Sequence, residues 1–139
     1  MSLLLARAAV NDANIHFDRL YSYLIPAQLV GKVYPGSMVL VPFGRGNKAR
    51  MAVVLAVEEA EETDAPQRLK SLYDAAPEEA RLTPDLLELV RFLKDRTFCT
   101  WFEAVKAVIP YGAQYRPAMV DGRPVMQSRL TRSTEKLYT

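Results

Sequence analysis

Two hydrophobic rhythms divide the chain. Up to about residue 75 the apolar positions come in short, dense runs rich in branched and aromatic residues. These are LLLARAAV at 3–10, LYSYLIP at 20–26, SMVLV at 37–41, MAVVLAV at 51–57 and the shorter RLKSLYD at 68–74. Each run has strand length and strand composition, and turn residues or polar segments separate them. Pro35-Gly36 stands just before the third run and Pro26 closes the second. Asn11 to Arg19 reads as a polar loop carrying Ile15 and Phe17, and EEAEETDAPQ at 58–67 as an acidic connector. Several short strands at close spacing predict a small antiparallel barrel or sandwich rather than alternating β–α units.

Beyond Asp74 the period lengthens. Thr83-Pro84-Asp85 has the order of a helix start: a capping hydroxyl, proline at the first helical position and an acid in the first turn. Leu86, Leu89, Val90 and Leu93 follow at i, i+3, i+4 and i+7, which predicts one apolar face. Glu88 comes early, and Arg91, Lys94 and Arg96 come late, in the order that complements the helix dipole. A second helix is expected between Thr100 and Pro110, with Phe102, Val105, Val108 and Ile109 as its apolar residues. From Tyr111 onward the pattern loses amphipathic order, with two prolines and five Lys/Arg. Residues 113–139 therefore read as a linker or as the start of a further domain. The fold class predicted is β-rich α+β: a small antiparallel β body over about 1–75, then two helices over about 83–109. No internal repeat is visible.

Composition narrows the function more than it names one. The 139 residues are half hydrophobic, which suits one packed domain. No apolar run approaches the roughly 20 residues that cross a bilayer, so no membrane association is expected. MSLLLARAAV has no basic residue ahead of its apolar stretch and reads as a strand rather than a signal peptide. A single cysteine, Cys99, excludes an internal disulfide, and with a single histidine, His16, no structural zinc site is expected. A cytoplasmic location fits these features. The net charge of +2 is unevenly spread. Residues 1–50 hold six Lys/Arg against two Asp/Glu, residues 51–100 six against eleven, and residues 101–139 six against three. The first block has the sign that suits a phosphate-bearing partner.

Catalytic chemistry finds no foothold. The G-x-x-x-x-G-K-[ST] loop is missing, and Gly44-Arg45-Gly46 lacks the third glycine and following helix of a dinucleotide fingerprint. His16 has no nucleophile in a recognisable motif and reads as a solvated loop residue. Cys99, next to Thr100 and Trp101, reads as a small core residue. Asp85 and Glu88 stand where a helix wants acids.

The suggestive stretch is the tip between the third and fourth runs. Gly44, Arg45, Gly46, Asn47, Lys48 and Arg50 put three cations and two glycines at one turn. Such cations serve solubility and edge protection, or they bind an anion; the glycines allow a phosphate or sugar to approach the backbone. Tyr21 and Tyr23 flank Ser22 at period two, so both rings face one side of their strand. They are either a core pair or a stacking wall for a base. Wall, glycine gap and cationic tip together would make a pocket for one nucleotide.

The order LYSYLIP, YPGSMVLVPFGRGNKARMAVVLAV, RLKSLYD, LTPDLLELVRFLKDRTFCTWFEAVKAVIPYG resembles the N-terminal 3′ DNA-binding domain of the PriA (primosomal protein N′) family of bacterial replication-restart helicases. The resemblance covers about residues 3–112, and its most specific element is G-S-x-V-x-V-P-F-G at Gly36 to Gly44. It implies a domain over 1–112 that captures the 3′-terminal nucleotide of a nascent leading strand. The pocket residues it implies are Tyr21, Ser22, Tyr23, Gly44 and Lys70, with Arg45, Lys48 and Arg50 on the adjoining phosphates. Some members carry aspartate where this chain has Ser22, which replaces a charged acceptor with a hydroxyl. The resemblance further implies that the chain is a piece of a larger ATP-dependent 3′-to-5′ helicase. In that enzyme the ATP and Mg site and a zinc insertion lie elsewhere, and this piece has no catalytic residue. Forked or primed DNA with a free 3′-OH is the implied partner, with single-strand-binding protein and other primosome proteins as further ones. A domain that docks such a protein, with the tyrosines simply core, is the alternative.

Overall fold

The computed structural model describes residues 2–11, 19–61, 69–77, 80–96, 99–109 and 115–128. His16 and most of the predicted polar loop lie outside these residues, as does the acidic segment after Glu61. Five strands form one sheet: β1 (Ser2–Val10), β2 (Tyr21–Leu24), β3 (Met38–Phe43), β4 (Lys48–Glu61) and β5 (Asp74–Ala75), in the order β2-β1-β4-β3-β5. All the pairings are antiparallel. The ladders do not close into a barrel. The sheet nevertheless curls until its edges meet at one isolated parallel bridge, Leu24 to Ser71. There Leu24 donates its N–H to the Lys70 carbonyl (2.8 Å) and accepts from the Leu72 N–H (3.0 Å).

Alternation along the strands sends side chains to two cores. On one face Ala6, Ala8, Val10, Tyr23, Val39, Val41, Ala52 and Val54 pack with Ile25, Leu29, Val33 and Leu72. On the other, Met38, Leu40, Met51, Val53 and Leu55 meet the helices α1 (Pro84–Arg96) and α2 (Trp101–Val108) through Leu82, Leu87, Val90, Phe102 and Val105. β3 and β4 are buried on both faces, which is why their sequences read as continuous apolar runs.

Both helix starts follow the sequence. The Thr83 hydroxyl accepts from the Leu86 N–H (3.4 Å), and the Thr100 hydroxyl accepts from the Glu103 N–H (3.1 Å). The buried stripe of α1 is rotated from the predicted one. Leu87 and Val90 are buried, Leu86 and Leu93 pack partly, and Leu89 is 42% exposed. At about 100° per residue, Leu89 lies well off the centre of the stripe that Leu87 sets.

Two further expectations change. β4 continues through Glu58–Glu61, which pair with the first residues of β1, so the acidic connector begins later than the sequence suggested. These carboxylates stay at the surface because this end of β4 is exposed on both faces, Glu58 on one and Glu59 and Glu61 on the other, and Glu58 lies 3.5 Å from Arg7. The region of little expected order contains a hairpin of β6 (Tyr115–Val120) and β7 (Arg123–Ser128). It turns through Asp121 and Gly122, both at positive φ (52° and 75°), the conformation of a tight two-residue hairpin turn. Met126 packs on the main core, and the Asp74 carboxylate accepts its N–H at 2.9 Å.

Candidate nucleic-acid interface

The edge of β3 builds the site. Pairing with β4 uses alternate residues, so the carbonyls of Met38, Leu40 and Pro42 point away from it. Ala76 N–H takes the first (2.8 Å) and Tyr73 N–H the second (2.8 Å). Nearer the tip, among the described residues, side chains follow instead of backbone. The Pro42 carbonyl accepts from the Tyr23 hydroxyl (3.0 Å), and the Gly44 carbonyl accepts from Lys70 Nζ (3.0 Å). Side chains thus replace the ladder where residues 69–72 leave β3 to join β2. The gap between β2 and the tip is a recess of about 320 Å³, lined by Tyr21, Ser22, Tyr23, Pro42, Phe43, Gly44, Leu69 and Lys70. That is near the lower end of the roughly 300–1,000 Å³ usual for small-ligand pockets.

All five residues named from the sequence for the pocket line this one recess, although they come from three separate segments. Their environments differ. Tyr23 is 4% exposed within the core, and burial, with Tyr21 nearby, pushes its pKa up to about 12. It is an anchor for the Pro42–Gly44 bend rather than an open stacking face. Tyr21 is half-buried, with the Phe43 ring edge-on at 5.2 Å and 88°. The Tyr21–Phe43 contact joins β2 to β3 across the curl. Ser22 follows from strand alternation. Tyr21, Tyr23 and Ile25 bond toward β1, so the N–H and C=O of Ser22 turn toward the recess, as those of Leu24 turn toward residues 70–72.

The two glycines of the G-S-x-V-x-V-P-F-G block differ in kind. Gly36 has φ +98°, and a Cβ there would stand 2.2 Å from the Leu82 carbonyl oxygen, so this glycine lets the helical layer approach the sheet. Gly44 has φ +77°, and a Cβ there would meet no protein atom within 4 Å. Its backbone opens on free space. The turn Gly44–Asn47 is held by Asn47 N–H to the Gly44 carbonyl (3.2 Å) and by the Tyr73 hydroxyl to the Asn47 carbonyl (3.0 Å).

The cations are spread along this end. Arg45 and Lys48 are exposed at the tip, whereas Arg50 is half-buried two residues down β4. Lys48 and Arg50 share the face of Ala52 and Val54, the same face that holds Tyr23. Sequence reasoning missed Pro42, Phe43 and Leu69 as lining residues. Pro42 and Phe43 adjoin Gly44 in the quoted block, but only the curl brings them opposite Tyr21 and Tyr23. Among the described residues no group of three or more His, Cys, Asp or Glu could hold a metal ion, and no helix is long and apolar enough to cross a membrane.

Comparison with known proteins shows the family. A family model described as the 3′ DNA-binding domain of PriA matches residues 9–110. The chain is 31% identical over 107 residues to replication restart protein PriA of Bacillus subtilis and 29% identical over 100 residues to that of Chlamydia trachomatis. These matches cover 76% and 70% of the chain but 13% of either relative, so the chain spans a small part of their length. The match over residues 9–110 includes every residue that lines the recess, and the chain belongs to the PriA 3′ DNA-binding domain family.

Proposed function

We propose that the recess receives the last nucleotide of a DNA strand at its 3′ end. The observation that carries this reading is the convergence of Tyr21, Ser22, Tyr23, Gly44 and Lys70 on one nucleotide-sized opening in a chain of this family. Tyr21, Pro42 and Phe43 supply an apolar wall for the base. The outward N–H and C=O of Ser22 offer hydrogen bonds at the strand edge, and its hydroxyl suits a neutral partner such as the 3′-OH. Free space over Gly44 admits the sugar. Lys70, tied to the Gly44 carbonyl, bars the far rim, so a strand that continued past its last sugar would clash there. Arg45 and Lys48 are available to the preceding phosphates, and Arg50 adds positive charge behind them.

The role follows from the relatives' name. The chain would serve as the DNA-end reader of a replication restart protein, with ATP-driven unwinding, Mg and zinc in parts beyond these residues. Single-strand-binding protein and other primosome proteins would be partners of that larger assembly. Fluorescence anisotropy with short single strands tests the site: Tyr21→Ala and Lys70→Ala should each weaken binding to a 3′-hydroxyl end by about tenfold, the scale of one lost base or charge contact. Wild-type affinity in both folded variants would refute the assignment.

A further inference from the structure

We propose that Arg19 is a further DNA-contact residue, gripping the phosphate that leads into the recess; this rests on the recess being the nucleotide site. The Arg19 guanidinium carbon stands 4.9 Å from the centroid of the Tyr21 ring, and Tyr21 lines the recess. Arg19 is exposed, and among the described residues it has no ion-pair partner. A guanidinium held over an aromatic ring uses its face and leaves its in-plane N–H donors available, and that fork matches two oxygens of one phosphate.

Other cations that lie over rings differ. Arg81 over Tyr34 donates Nε to the Pro35 carbonyl (3.0 Å), and Lys94 near Trp101 donates Nζ to the Cys99 carbonyl (3.0 Å). Arg96 covers Phe92 on the outer side of α1. Among these four, only Arg19 sits on a ring of the recess. Its ring also fixes its place: Tyr21 is braced by Phe43 and by the β1 pairing, so the guanidinium is positioned before DNA arrives and loses less side-chain entropy on binding. Among the described residues no ring supports the tip cations Arg45 and Lys48 in this way.

The test measures binding of wild type, Arg19→Ala and Arg19→Lys to a short single strand ending in a 3′-hydroxyl, across a salt series, with circular dichroism to check folding. The same strand ending in a 3′-phosphate is run with wild type. Arg19→Ala should bind about tenfold more weakly and its slope of log K against log salt should shrink by about 0.7, the share of one single-strand phosphate contact. Arg19→Lys should restore the slope, because the charge remains. A residue that merely packs on Tyr21 would lose affinity with the slope unchanged, and that result overturns the assignment while wild-type end preference stands. Equal wild-type affinity for the two ends would instead overturn the recess reading itself.

Discussion

Tyr23 spends its hydroxyl on the Pro42 carbonyl inside the second core, so its part in the recess is to hold the bend at Gly44. Its pKa of about 12 lies above the ordinary value of 10.0, because burial penalises the charged phenolate. The folded state therefore holds this proton more tightly than the unfolded chain. The associated stability is complete below pH 10 and is lost as pH rises from 10 toward 12. Thermal melts over that range should show a falling midpoint that Tyr23→Phe flattens. The glycine pair gives a second residue-scale test. Gly44→Ala carries only backbone strain, about 1–2 kcal/mol, and should fold yet bind DNA poorly if the sugar approaches over that backbone as proposed. Gly36→Ala adds a collision with the Leu82 carbonyl and should lose at least about 3 kcal/mol in chemical denaturation. A Gly44→Ala variant that bound DNA normally would contradict the sugar's approach over that backbone.

At the scale of elements, what was legible in the sequence depended on how many faces each element buries. β3 and β4 announced themselves because both faces are apolar, and the helix caps at Thr83 and Thr100 are local signals. Glu58–Glu61 misled because acids suggest a connector, whereas at this end of β4 both faces are exposed and the acids keep their hydration within the strand. The β6–β7 hairpin hid behind Pro117 and Pro124. Both occupy pairs, Pro117 with Met126 and Pro124 with Met119, in which the backbone N–H groups point out of the hairpin ladder. A missing N–H there breaks no bond between the strands. The outward N–H of Met126 instead reaches Asp74, which also accepts from Ala75 N–H at 2.9 Å. Asp74→Ala should thus speed amide hydrogen exchange over residues 115–128 by about tenfold, the scale of one charge-assisted bond, with DNA binding retained.

Across the whole molecule the recess exists because the sheet curls and its edges are stitched at Leu24 and Ser71. Period and composition show which residues are strand-like; they carry no signal for Tyr21 meeting Phe43, or Tyr23 meeting Pro42, across strands that are not neighbours in the sheet. The family resemblance named the five residues, and the curl supplies the physical reason they meet. Charge is polarised along β4, from Lys48 and Arg50 at the recess end to Glu58, Glu59 and Glu61 at the other. This favours DNA approaching the recess end, and two to four phosphate contacts would give a log–log salt slope of about −1.4 to −2.8. The most direct measurement is the affinity ratio, at fixed salt, between one oligonucleotide ending in a 3′-hydroxyl and the same oligonucleotide ending in a 3′-phosphate. The proposed dead end predicts a preference of at least about tenfold for the hydroxyl end, since an added phosphate would have no room past the last sugar and would lose its hydration. Equal affinity for the two ends would contradict it.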